Sequence, residues 1–167
     1  TLPVPPSETD PQPGGTLPSV FSEGVLPVSR ESVHFIRRLL HLAPDVVHVY
    51  DLRTRRLVYV NQRLTDVLGY TLAELPTDRD ALLALLVEPT PADLGTFLTK
   101  LFTDATNGET LGYECTVRHK NGSLRVLRTR GSVLRRDANG SPLELLGVSE
   151  DVTAERQIQA DLRRREA

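Results

Sequence analysis

The sequence predicts an α+β fold: a five-stranded antiparallel sheet with helices covering one face, preceded by an amphipathic helix and followed by an exit helix. Three observations carry this expectation. Two short β-rich runs, Val46–Asp51 and 57–61, lie close together and read as a hairpin. The middle of the chain then switches to helical spacing. The last third returns to a period of two and contains two turn signals, Asn121-Gly122 and the segment 137–140.

Residues 1–29 open the chain with Pro3, Pro5, Pro6, Pro11 and Pro13 before Gly14-Gly15. Such a stretch buries too little apolar area to offset its ordering entropy, so it reads as a disordered tail or linker. Residues 30–43 form an amphipathic helix on the spacing of Val33, Ile36, Leu39 and Leu40, with Ser29 or Ser32 as its cap and Ala43-Pro44 as its stop. It needs a surface to cover, either its own sheet or a second subunit.

The two strands follow. A short helix over 62–68 closes at Gly69, and Asn61 reads as its cap. Thr71 with Glu74 is a capping box that opens another short helix. The apolar run 81–87 reads as helical. Thr90-Pro91-Ala92-Asp93 is a second capping signal, with Pro at the first helical position. Beyond it Leu94, Phe97, Leu98, Leu101, Phe102 and Ala105 mark one face of the clearest helix in the chain. Tyr113, Cys115 and Val117 alternate with polar neighbours as a half-buried strand. The runs 123–136 and 142–150 supply the remaining strands. Thr153 then caps an exit helix over 154–165, with Glu155 in its favourable first turn. Ile158 and Leu162 give that helix a narrow apolar stripe, the start of a coiled coil in a longer parent.

Composition excludes several classes. Lys and Arg total 20 against 22 Asp and Glu, so the net charge of −2 argues against a basic nucleic-acid binder. No apolar run is long enough for a membrane span, and no basic segment followed by an apolar one opens the chain. Cys115 is the only cysteine, which rules out an internal disulfide and a Cys-rich metal site and fits a reducing cytoplasm. Met is absent, so the chain reads as cut from a longer protein or as stripped of its initiator.

Four pieces in register resemble the PAS domain, the sensory fold of bacterial signalling proteins. Tyr59-Val60-Asn61 with Leu68-Gly69-Tyr70 is similar to the family's strand-to-helix segment. Thr71 to Leu75 continues it as a short helix. Glu114, Arg118, Lys120, Asn121, Gly122 and Ser123 resemble its central hairpin. Asn139-Gly140, Leu146-Gly147 and Asp151-Val152-Thr153 resemble its last hairpin and exit. The resemblance spans 44–153. One departure is Glu88 to Asp93, where the family often carries an H-P-D-D run. The resemblance implies a sensory or regulatory module that binds a small molecule, forms a homodimer, or both, and that is itself not an enzyme. It also implies a C-terminal output domain, such as a histidine kinase or diguanylate cyclase, in the parent protein. A ligand-free interaction module of the same fold is the alternative, and a small enzyme is a remote third.

The chromophore classes of the family constrain the cofactor. A covalent flavin photosensor carries a cysteine in the segment matching 75–86, which has none here. A haem sensor carries an axial histidine on or near the long helix, and none occurs between Asp51 and Arg118. The lack of Trp weakens FAD. The expectation is therefore no cofactor, or an unknown small apolar ligand lined by Leu98, Leu101, Phe102, Tyr113, Cys115 and Val117. Large side chains at these places favour a filled interior. A pocket would need converging polar groups, for which Tyr113, Thr116 and Arg128 are candidates.

Other constellations are weaker. Cys115 and His119 lie about 13 Å apart along a strand, too far for one metal or a nucleophile–base pair. No catalytic triad and no glycine-rich phosphate loop is legible. Arg125, Arg128, Arg130, Arg135 and Arg136 read as a solvated sheet face, or as a surface for an anionic ligand or acidic partner.

Overall fold

The computed structural model describes residues 29–76, 78–90, 92–107 and 110–167. The expected Pro-rich tail therefore lies outside the described residues, apart from Ser29. The elements run α1 (Arg30–Leu42), β1 (Val46–Asp51), β2 (Arg56–Val60), α2 (Arg63–Leu68), α3 (Arg79–Leu83), β3 (Leu86–Glu88), α4 (Leu94–Thr106), β4 (Leu111–Arg118), β5 (Leu124–Arg136), β6 (Pro142–Asp151) and α5 (Thr153–Glu166). All neighbouring strands are antiparallel, in the order β2-β1-β6-β5-β4-β3. The chain thus begins at one edge and crosses to the other through α2 and α3 before returning strand by strand to β1.

The sheet has six strands, not five. The run 81–87 is not one helix: α3 ends at Leu83, and Leu86–Glu88 adds an edge strand to β4, with Leu86 opposite Val117. A short apolar run satisfies either period. Pairing decides here, because Arg118 N–H donates to the Leu85 carbonyl and the edge of β4 gains partners for its backbone. The Thr71–Glu74 capping box forms with reciprocal bonds of 3.2 and 3.0 Å, yet it closes one turn and no helix follows it. Leu75 is buried beneath it, and Pro76 follows at once.

Hairpin chemistry fixes the ends of the strands. Asp51 Oδ1 accepts from the Arg53 and Thr54 amides and turns β1 into β2. Gly69 closes α2 at φ 77°, as its position predicts, and a Cβ there would also strike the His119 ring at 2.5 Å. The β4–β5 turn docks at this spot: Lys120 N–H donates to the Leu68 carbonyl, and its Nζ pairs with Glu74 at 2.7 Å.

The core lies between the sheet and the helices. Val46, Val60, Leu64, Val67, Leu68, Leu75, Cys115, Val117 and Leu127 form one buried cluster. Helix α1 keeps Val33, Ile36 and Leu40 half-buried, while Phe35, Leu39 and Leu42 stay exposed on its other side. Ser29 caps it by accepting from Ser32 N–H.

Asn61 is not the side-chain cap of α2. Its side chain is 1% exposed and ties three backbone segments together. Oδ1 accepts from Val47 N–H at 3.0 Å, and Nδ2 donates to the carbonyls of Leu40 at 3.0 Å and Asp45 at 3.1 Å. Neither is Thr153 a side-chain cap for α5: its hydroxyl accepts from Val126 N–H and donates to Asp151. Asn61→Ala strands one buried donor and two acceptors, so it should lower unfolding stability by about 2–3 kcal/mol, read from urea or thermal melts.

Candidate functional site

Where the large side chains of α4 predict a filled interior, the structure has a hollow. A cavity of about 300 Å³ lies between the inner face of the sheet and the helices. That size is at the small end of the range for small-molecule sites, about 300–1,000 Å³. Its roof includes Phe97, Leu98, Leu101 and Phe102 from α4, with Leu82 and Leu83 from α3. Of the α4 side chains only Ala105 is buried, and Phe102 is 45% exposed, so this helix stands off the sheet. Phe97 meets Tyr113 edge to face, with ring centroids 5.2 Å apart.

The floor is made by cross-strand rows. One row runs His48, Gly147, Gly131 and Leu111 across β1, β6, β5 and β4. The His48 imidazole lies against Gly147, where a Cβ would come within 2.3 Å of the ring. At Gly131 a Cβ would meet the Leu146 carbonyl at 2.7 Å. Two missing side chains thus seat one imidazole and leave the middle of the floor low.

The adjacent row runs Val46, Ser149, Thr129 and Tyr113. It is hydrogen-bonded sideways. His48 Nε2 and Ser149 Oγ are 3.1 Å apart, and Ser149 Oγ and Thr129 Oγ1 are 2.7 Å apart. The Thr129 hydroxyl also reaches that of Tyr113. Burial holds the His48 pKa down at about 4, so the imidazole is neutral at physiological pH. Burial likewise pushes Tyr113 up to about 12 and Cys115 up to about 11, which keeps both protonated. Cys115 is therefore a packed thiol and no nucleophile. Among the described residues that line the cavity, none is Asp, Glu, Lys or Arg.

The opposite face of the same three strands carries charge. Glu114, Arg128 and Glu150 form a cross-strand row directly behind Tyr113, Thr129 and Ser149. Arg128 pairs with Glu114 at 3.3 Å, Glu150 at 3.6 Å and Glu155 at 3.1 Å, and Arg156 pairs with Glu114. Glu155 and Arg156 belong to α5, so this row holds the start of the exit helix. Hydrogen bonds donated by Arg156 lower the Glu114 pKa, and the bond that Arg128 donates to Glu155 raises its own.

Of the residues singled out in the sequence, Leu98, Leu101, Phe102, Tyr113, Cys115 and Val117 all lie on the cavity wall. Of the polar candidates, Tyr113 reaches the cavity. Thr116 is outside its lining, and Arg128 belongs to the charged outer row. The arginines of β5 do not form one solvated face: Arg128 is ion-paired, Arg135 pairs with the buried Glu144, and Arg136 donates to the Gly140 and Ala105 carbonyls. His48, Thr129, Ser149 and the two floor glycines were not legible as site residues. The alternation along β5 and β6 was the available signal, since it puts Thr129 with Gly131 and Gly147 with Ser149 on one face.

A single antiparallel sheet that folds helices over a small apolar cavity and sends a helix away from its outer face defines the class of sensory α+β domains. The model for the PAS fold matches residues 57–149, and the chain belongs to that family. Solved structures agree on the fold. A sensory box histidine kinase/response regulator from Burkholderia thailandensis superposes with a TM-score of 0.61 at 22% identity, covering 78% of this chain and 94% of that one. The PAS domain of a protein from Colwellia psychrerythraea gives 0.59 at 17% identity, covering 73% and 98%. The N-terminal domain of a diguanylate cyclase with PAS/PAC sensor from Marinobacter aquaeolei gives 0.56 at 16% identity, covering 67% and 98%. No curated protein matches the chain. Among the described residues no helix is long and apolar enough to cross a membrane.

The His48 environment fixes a pH dependence. The unfolded chain takes up a proton near pH 6.5, whereas the folded chain resists until about pH 4. Stability is therefore complete above pH 6.5 and falls as the pH drops toward 4, by about 3 kcal/mol in all. Urea melts should show this slope above pH 4.5, and His48→Phe should remove it.

Proposed function

We propose that this PAS domain is a sensory module that takes a small, mostly apolar molecule into its cavity and passes occupancy to α5. The observation that carries this reading is the cavity itself, apolar in its walls and polar at one strip of its floor. The route to α5 is short. Tyr113, Thr129 and Ser149 on the inner face each adjoin a member of the outer row, Glu114, Arg128 and Glu150. A ligand that shifts the inner row moves the backbone that carries the ion pairs to Glu155 and Arg156. The reading is of a regulatory module and not an enzyme, in keeping with the family, and burial keeps the Cys115 thiol protonated. In a longer parent, α5 leads to an output domain of the kind named for the similar structures, a histidine kinase or a diguanylate cyclase. The reading places this module in the cytoplasm, in keeping with a single unpaired cysteine.

Dimerisation belongs to the same reading. Helix α1 leaves Phe35 63%, Leu39 52% and Leu42 76% exposed, an apolar strip that fits a second copy of the chain. Two copies would bring their α5 helices, with Ile158 and Leu162 exposed, within reach of a coiled coil.

Two measurements test this. The native mass of the purified protein should exceed an integer number of chains by the mass of a retained molecule. An integer mass, with no rise in melting temperature across a small-molecule panel, would remove the sensory reading. In sedimentation equilibrium, Phe35→Glu with Leu39→Glu should weaken self-association by at least tenfold. An unchanged dissociation constant would place the interface elsewhere.

A further inference from the structure

We infer that the cavity is built for an uncharged, largely apolar molecule bearing one hydrogen-bond acceptor, such as a ketone, which docks on the strip formed by His48, Ser149, Thr129 and Tyr113. The inference rests on the cavity reading above and specifies its ligand. The reasoning is a count of protons. Neutral His48, Ser149, Thr129 and Tyr113 each carry one polar proton, four in all, and three contacts join them in a chain. Each contact consumes one proton. One donor is therefore left over whichever way the chain points.

Two unbranched directions exist, and a branched chain leaves the surplus on Ser149 or Thr129, which also line the cavity. If Tyr113 donates to Thr129, Thr129 to Ser149 and Ser149 to His48 Nε2, the surplus proton sits on His48 Nδ1. If the order reverses, it sits on the Tyr113 hydroxyl. Both ends line the cavity. Among the described residues, no other hydrogen-bond partner of these four side chains is present. A buried donor without an acceptor is destabilising, so the strip favours a ligand that brings one. The oxygens of the chain retain lone pairs, but its protons are otherwise spent. A ligand carbonyl fits this deficit better than a second donor does.

The rest of the wall sets the other limits. Among the described residues, no lysine or arginine faces the hollow to neutralise an anion, and no carboxylate faces it to neutralise a cation. Bringing either charge inside would strip its hydration without replacement. The walls above the strip are leucine, valine and phenylalanine, which favour a hydrocarbon or aromatic body. The imidazole takes the place of a side chain at Gly147, so the His48 end of the strip lies close against the floor.

Three probes on one frame test this with the full chain: 2-acetylnaphthalene, its hydrocarbon counterpart 2-ethylnaphthalene, and 2-naphthoate, by equilibrium dialysis. The ketone and the hydrocarbon should both bind, and the carboxylate should bind at least tenfold more weakly than the ketone. In His48→Phe/Tyr113→Phe/Thr129→Val/Ser149→Ala, every donor of the strip is gone. There the ratio of ketone to hydrocarbon affinity should fall about tenfold. Retained hydrocarbon binding shows that the variant is folded. The wild-type protein gives a second readout that needs no variant. The carbonyl carbon of ¹³C-labelled 2-acetylnaphthalene should resonate downfield of its position in hexane when bound. A hexane-like shift, an unchanged affinity ratio, or carboxylate binding as tight as the ketone would overturn the acceptor assignment and leave the cavity reading standing. Failure of all three probes to bind would overturn both.

Discussion

The contact between the His48 imidazole and the bare backbone of Gly147 organises the centre of this molecule. A side chain at that position would occupy the space of the ring, and one at Gly131 would press on the neighbouring strand. With both absent, an imidazole packs flat on the sheet, reaches Ser149, and starts the row of hydroxyls that crosses to Tyr113. The same two absences keep the floor low while α4 stands clear of it. A hollow in an otherwise close-packed interior normally costs dispersion contacts, so its persistence here depends on walls that cannot collapse inward. The floor is a continuous hydrogen-bonded sheet. Beside the hollow, α2 is pinned by the Asn61 tie that precedes it and by the docking of the β4–β5 turn on its last residue.

Polarity inside that hollow is confined to one strip. Burial removes the charge from His48 and keeps it from Tyr113 and Cys115, so the strip is polar without being ionic. The charged row of Glu114, Arg128 and Glu150 sits on the other side of β4, β5 and β6, open to water, and holds α5. This division separates two tasks that a single sheet face serves poorly. One face meets an apolar molecule in a dry space, and the other holds a helix through pairs that solvent keeps exchangeable.

Much of this architecture was legible in the residues. The spacing of Leu94, Phe97, Leu98 and Leu101 defines α4, Asn121-Gly122 defines a hairpin, and Gly69 ends a helix because only a left-handed residue closes it there. These signals are local, and local physics decides them. Strand β3 was not legible, since three residues carry no period and the helix reading of 81–87 was as good until β4 was known to need an edge partner. Asn61 was misread for a similar reason: its three partners belong to Leu40, Asp45 and Val47, which come near it only once α1, β1 and β2 are assembled. The cavity strip is more scattered still, with His48 and Ser149 separated by 101 positions. Alternation told which neighbours share a face, but not which face looks inward.

The back-to-back rows on β4, β5 and β6 also act as a lock on strand alignment. Each hydroxyl of the inner row is one residue from a charge of the outer row: Tyr113 beside Glu114, Thr129 beside Arg128, Ser149 beside Glu150. A slip of any one strand by a single position would turn a charge into the dry hollow and a hydroxyl out to water. It would break an ion pair and bury an unpaired ion in one step. Sheets with two-sided hydrophobic strands lack such a penalty and tolerate misalignment. Here the residues that face the cavity and those that grip α5 proofread one another's register, so the correct strand pairing is favoured before any ligand arrives.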